Sequence, residues 1–358
     1  MDNIGQLIIT GIKGKSLTPE ERSFIQEGNI GGVVLFAYNY ESPGQLAELV
    51  NSIQALRSEH PLFISVDHEG GRVQRFKAGF THFPPMLEIA EKGSPKLCFE
   101  VHQAMALELL ACGVNLNFSP VCDVFSNPSN KVIGDRAFGK TPERVEQYIS
   151  SAIRGLQTGG IIACAKHFPG HGSTTKDSHF DLPYITSTIE ELEERDIPPF
   201  IKAVKSRVEM VMMGHLVVDA IDPELPCSMS PKAHDYLRKK LKFSNVIISD
   251  DLHMKAIDDH YSPEDAAIKI LKAGTDILLY REPERAEIAL EAIKRAKSQQ
   301  QLSLEELTAK IKRIWSIKND YFGEYAPIYI PNISKKMLEA KGAIILDQIN
   351  KKSLEDLS

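Results

Sequence analysis

The sequence predicts an α/β protein: a single (β/α)8 barrel of the TIM type with a peripheral C-terminal helical extension. Eight short apolar runs alternate with helical segments along the chain. Most of the runs are apolar on successive residues, the pattern of parallel strands covered on both faces. Ionisable residues recur where several of the runs end, and in a closed α/β barrel those ends form the mouth.

The strand candidates are 7–10, 32–36, 62–67, 115–119, 161–167, 210–215, 246–250 and 276–280. Helix starts between them carry cap chemistry. Thr18, Ser42 and Thr188 stand three residues ahead of Glu21, Gln45 and Glu191, the spacing at which a hydroxyl and a carboxylate or amide cap one another. Pro19 and Pro43 preset the first helical turn, and Ser262 before Pro263 and Ser303 before Glu306 repeat the device. Residues 99–111 read as helix, with Gly113 behind them as a natural C-terminal cap. Eight such alternations favour a closed barrel over an open doubly wound sheet. No repeat, low-complexity tract or Gly/Ser linker interrupts the chain, so residues 1–320 are expected to form one catalytic barrel. Residues 321–358, with Pro327, Pro331 and a final Lys/Glu-rich stretch, are expected to be a helical extension packed on it.

Composition narrows the function. Lys and Arg number 42 against 48 Asp and Glu, a formal charge of −6, so no basic field favours nucleic acid or an anionic membrane. Residues 1–15 lack a basic segment followed by an apolar core, and no later run approaches the ~18 apolar residues of a membrane span. A cytoplasmic monomer is expected. Cys98, Cys112, Cys122, Cys164 and Cys227 are odd in number, scattered and never paired as C-x-x-C, which argues for reduced core thiols.

The most informative stretch is 166–181, where histidines, aspartates and lysines crowd directly after the apolar run 161–165. Pro169, Gly170 and Gly172 force it into a loop, so Lys166 and His167 sit at a strand end and the rest on the loop beyond. Asp177 and His179, two residues apart, have the spacing at which a carboxylate orients an imidazole and raises its basicity. Asp67 ends another run and is followed by Gly70-Gly71, Arg72 and Arg75, a set suited to gripping hydroxyl and carboxyl groups. Arg136 lies in the glycine-hinged stretch 133–138. Asp250 ends an apolar strand where a low-dielectric wall meets the mouth, a setting for a carboxylate nucleophile; Asp251 reads as its partner or as a helix cap. His215 reads equally as site wall or as structural histidine. Two other patterns fail. Gly14-Lys15-Ser16 ends like a phosphate-binding loop, but Ile9 stands where its first glycine belongs. His167 and His171 are four apart, but Pro169 and Gly170 forbid the helix that would put both on one metal, and no metal or other cofactor is expected.

The segments 67–72, 166–172, 177–179 and 249–251 together resemble the bacterial β-N-acetylglucosaminidases of glycoside hydrolase family 3, over about residues 5 to 300. That resemblance implies a barrel that removes terminal β-linked N-acetylglucosamine with retention of configuration. It implies Asp250 as nucleophile, His179 as general acid/base and Asp177 as the residue that orients His179. It matches Asp67, Arg75, Arg136, Lys166 and His167 to positions that hold the non-reducing sugar. It further implies cytoplasmic recycling of cell-wall muropeptides, with N-acetylglucosamine joined to anhydro-N-acetylmuramic acid as the carbohydrate substrate. His68 departs from the pattern, standing where many relatives carry Gln, and is expected to perturb the sugar pocket or its surroundings. Other readings stay open: a β-glucosidase or an N-acetylglucosaminide phosphorylase of the same family, a metal-dependent amidohydrolase, an aldolase using Lys166, and a sugar-binding barrel without turnover.

Overall fold

The computed structural model describes residues 3–174, 182–323 and 325–355. Eight parallel strands close into a barrel: β1 (Ile8–Thr10), β2 (Gly32–Leu35), β3 (Phe63–Val66), β4 (Leu116–Asn117), β5 (Ile162–Phe168), β6 (Met210–Met213), β7 (Val246–Asp251) and β8 (Ile277–Tyr280). Their order around the ring is their order in the chain, and β8 pairs with β1 through Ile8 opposite Leu278 to shut it. Each strand overlaps one run expected from the sequence. The successive apolar positions are explained by burial: Val33, Val34, Ile64, Met210, Val211, Ile247 and Leu278 are all at most 1% exposed, packed between the barrel interior and the outer helices.

β4 is the shortest strand, for a reason visible in its residues. Pro120 offers no N–H to extend the ladder. Asparagine side chains add to the backbone bonds at both ends: Asn115 Oδ1 accepts from the Ile64 N–H at 2.8 Å, and Asn117 Oδ1 from the His68 N–H at 3.0 Å. Outside the barrel, the helices Pro19–Glu27, Pro43–Gln54, Pro95–Ala111, Pro142–Thr158, Pro231–Asp235, Pro263–Ala273 and Pro283–Ser298 each carry proline in the first turn. The helix expected from residue 99 starts at Pro95, because Ser94 caps the Leu97 N–H, the device already read at Ser42. Gly113 closes it with φ +85.

The end of the barrel away from the mouth is sealed by Lys318, from the helix Leu304–Tyr321. Its ammonium is wholly buried, donates to Gln6 Oε1 at 2.8 Å and to the Gly31 carbonyl at 2.9 Å, and lies 4.8 Å from the Phe63 ring centre. Burial lowers its pKa to about 7. Beyond this helix the chain returns across the outside of the barrel, where the Tyr325 hydroxyl and the Ile328 N–H both donate to Asn51 Oδ1. Helices Ile333–Glu339 and Gly342–Glu355 then pack against Pro95–Ala111. No helix among the described residues is long and apolar enough to cross a membrane.

Candidate active site

A cavity of about 370 Å³ opens at the C-terminal ends of the strands. Asp67, Arg75, Arg136, Lys166, His167 and Asp250, six residues singled out in the sequence, all line it. They arrive by five routes. Asp67 follows β3 directly, and Arg75 follows the short hairpin His68–Gly70 with Val73–Gln74. Arg136 comes from the turn Gly134–Arg136, Lys166 and His167 from the end of β5, and Asp250 from β7. Asp177 and His179 lie outside the described residues.

One wall is a lattice of alternating charge. Lys166 Nζ is 2.6 Å from Asp67 Oδ1 and 2.6 Å from Glu69 Oε1. Arg75 reaches Asp67 Oδ2 at 3.3 Å, and Arg136 takes both Glu69 oxygens, from Nε and a terminal nitrogen, each at 2.8 Å. Burial by itself raises the Asp67 pKa, but Lys166 and Arg75 more than offset it and hold the carboxyl well below its usual range. Burial also raises Glu69, which Arg136 and Lys166 bring down to about 2. Lys166 is pulled down by burial and pushed further up by Asp67 and Glu69. The wall is therefore fully ionised, with fixed donors and acceptors side by side.

His167 is set by Asp123, from the loop after β4. Asp123 Oδ2 lies 2.7 Å from His167 Nδ1, and Oδ1 accepts the His171 backbone N–H at 2.7 Å. Burial raises the Asp123 pKa, and His167 more than reverses this, leaving a carboxylate that can only accept. The His167 proton facing it is thus on Nδ1. Desolvation raises the pKa of Asp250; His167 and His215 beside it and the Asp251 N–H, donated to Asp250 Oδ1 at 2.8 Å, bring it below the ordinary carboxylate value. Asp251 behaves oppositely. Burial raises it to about 6, although its Oδ1 accepts the His253 and Arg281 backbone N–H groups at 3.1 Å each. Asp251 thereby ties the end of β7 to the end of β8. His215 belongs to the framework: it is fully buried, with Nδ1 2.8 Å from Ser228 Oγ and Nε2 3.2 Å from the Asp251 carbonyl.

His68 points away from the cavity. Its ring sits 5.5 Å from Phe80 and 6.0 Å from Phe76, fully buried, and burial lowers its pKa to about 3, so it packs as a neutral ring. The loop that leads toward Asp177 and His179 is anchored at its root: Asn130 Nδ2 donates to the His171 carbonyl at 2.8 Å, and Gly172 presses so near Val124 that a Cβ there would lie 1.7 Å from its carbonyl oxygen. Sequence reasoning did not assign Glu69 and Asp123. The signal for Glu69 was its position two residues after Asp67 in extended chain, which puts both carboxylates on one face. Asp123 follows Val121-Cys122, one more apolar run that ends on a carboxylate.

A closed α/β barrel with ionised carboxylates beside a lattice of fixed donors and acceptors at its mouth has the make-up of an enzyme. Residues 1–317 match the glycosyl hydrolase family 3 N-terminal domain. A β-hexosaminidase of Nitrosomonas eutropha is 40% identical over 81% of this chain and 84% of its own length. One of Methylococcus capsulatus is 40% identical over 78% and 84% respectively. A family 3 β-N-acetylglucosaminidase from a Paenibacillus species superimposes with a TM-score of 0.87 at 32% identity, covering 94% of this chain and 67% of that one. The chain belongs to glycosyl hydrolase family 3 and is a glycoside hydrolase.

Proposed function

We propose that the protein is a retaining exo-β-N-acetylglucosaminidase. The observation that carries the reading is the placement of Asp250: a carboxylate at the end of β7, beside His167, in the cavity that Asp67, Arg75, Arg136 and Lys166 also line. Asp250 attacks the anomeric carbon and forms a glycosyl-enzyme bond while His179 gives its proton to the departing oxygen. His179 then takes a proton from water as that water displaces Asp250, so the two inversions leave the configuration unchanged. Asp177 orients His179. Asp67, Arg75, Arg136, Lys166 and His167 hold the non-reducing sugar, whose hydroxyls fit between fixed donors and acceptors without new ordering cost. The names borne by relatives favour N-acetylglucosamine as that sugar.

The experiment is p-nitrophenol release from the β-N-acetylglucosaminide and the β-glucoside side by side, with Asp250→Asn as control. Fast turnover of the first alone, abolished in the control, is the expected result. Turnover that survives Asp250→Asn removes the nucleophile from this account, and His179→Ala with full activity on a poor leaving group removes the acid/base. We further propose a cytoplasmic monomer acting on muropeptides in peptidoglycan recycling. Cleavage of N-acetylglucosaminyl-anhydro-N-acetylmuramic acid tests that role, and inertness toward it confines the enzyme to other N-acetylglucosaminides.

A further inference from the structure

The two walls of the cavity differ in kind. On the side of β3 to β5 the charged groups that line the cavity, Lys131 apart, are already paired with one another. On the side of β8, β1 and β2 the wall is an open shelf. Phe36, next after β2, and Tyr38 stack with ring centres 5.5 Å apart and planes 12° apart. The Arg281 guanidinium, next after β8, lies over both rings at 5.1 and 5.9 Å. Tyr38 is 42% exposed, so the shelf runs outward from the cavity. Its position is fixed from beneath: the Gly11 N–H donates to the Tyr280 carbonyl at 2.7 Å, and a Cβ on Gly11 would stand 2.0 Å from the Arg281 carbonyl oxygen.

Arg281 is unlike the arginines of the other wall. Arg75 and Arg136 each hold a carboxylate, whereas Arg281 forms no ion pair among the described residues. Asp251, its neighbour, directs Oδ1 to backbone N–H groups, one of them that of Arg281 itself. Arg281 also hydrogen-bonds the Tyr38 side chain, which engages part of its fork within the shelf, and the remaining in-plane N–H groups suit a carboxylate or phosphate.

We infer that Arg281 with the Phe36–Tyr38 platform forms the aglycone subsite and selects an aglycone that carries an anionic group beside an apolar face. The inference rests on the glycosidase reading above. With the buried lattice holding the sugar to be cleaved, the leaving group extends toward the open shelf, where an aromatic surface covers its face and Arg281 meets its anion. Lys131, the other cation of the rim without an ion pair among the described residues, stands on the loop after β4, across the ring from β8.

The test compares 3-carboxyphenyl and 3-carbamoylphenyl β-N-acetylglucosaminides in the full chain and in Arg281→Gln and Arg281→Glu. The ratio of kcat/KM values, carboxylate over carboxamide, is read in each protein, so leaving-group differences cancel between proteins. The ratio is expected to fall roughly tenfold in the Gln variant, the worth of a charge-assisted contact at a partly exposed site, and further in the Glu variant. A ratio within twofold of wild type in both variants overturns the inference and leaves the glycosidase reading intact. No turnover of either compound by the wild-type protein refutes the glycosidase reading, and the inference with it. Release of the sugar 1-phosphate on addition of inorganic phosphate, lost in Arg281→Glu, assigns the guanidinium to an acceptor anion and overturns the aglycone assignment.

Discussion

Glu69→Gln removes one of the two carboxylates that hold Arg75, Lys166 and Arg136 against the cavity wall. Arg136 loses a bidentate partner and Lys166 a contact at 2.6 Å, where the Glu69 and Lys166 side chains are each 2% exposed. The folded-state fall of the Glu69 pKa from 4.5 to about 2 corresponds to about 3 kcal/mol at neutral pH, at about 1.36 kcal/mol per pH unit. Breaking one partner out of a buried ion pair costs about 3–5 kcal/mol, which agrees. A carboxylate with a depressed folded pKa contributes stability that is fully present above about 4.5 and is lost as pH falls toward 2. Wild type and variant therefore differ most at pH 7 and converge near pH 2. With an unfolding entropy of about 2 cal/mol/K per residue, the expected fall in Tm at pH 7 is roughly 4–7 °C. Scanning calorimetry or urea unfolding reads it, and KM should rise in the same variant because Arg136 and Lys166 lose their fixed placement. A fall below 1 °C, or strict additivity with Lys166→Gln in a double-mutant cycle, refutes the coupling of these charges.

Three further substitutions test other parts of the molecule. Asp123→Asn keeps shape but replaces an ionised acceptor, so His167 loses its fixed Nδ1 proton; kcat/KM is expected to drop about 10- to 100-fold with an altered pH profile, and an unchanged profile contradicts the positioning role. Asp251→Asn should stabilise the protein in alkali: a carboxyl raised by burial to about 6 binds its proton more tightly folded than unfolded, so stability falls as pH rises from about 4 to 6, and the variant escapes a cost of up to about 3 kcal/mol at pH 8 while matching wild type at pH 4. Gly172→Ala forces a Cβ to within 1.7 Å of the Val124 carbonyl oxygen, and the displaced loop should cost most of the activity; full activity with normal Tm means that the loop yields freely.

The strands were legible because burial on both faces leaves continuous apolar runs, and Asp67, Lys166 and Asp250 were legible because each stands where such a run ends. Glu69 and Asp123 act through partners far along the chain, Arg136 and His167, and local pattern carries no trace of a contact made across 67 or 44 residues. His68 shows the limit of adjacency. It follows a cavity residue directly, but alternation in extended chain turns its side chain to the opposite face, into Phe76 and Phe80. The β4 run was read longer than its ladder because Pro120 supplies no N–H, and beyond it the pairing with β5 resumes only as a bridge between Val121 and Lys166. For Asp177 and His179 the two-residue spacing suggested a pair, and the separate roles proposed for them rest on family resemblance.

The meeting of Gln6 and Lys318 at the base gives the ring a seam. At that seam a hydrogen bond at 2.8 Å joins segments that lie 312 residues apart. A circular permutant that joins these segments and opens the chain at another turn on the same face keeps the strand order and leaves every mouth loop uncut. Sugar release by such a permutant measures how far the chemistry at one end of the barrel is independent of where the polymer starts. The same geography makes the base the natural point of attachment to a support, because a tether there stands a full strand length away from the cavity.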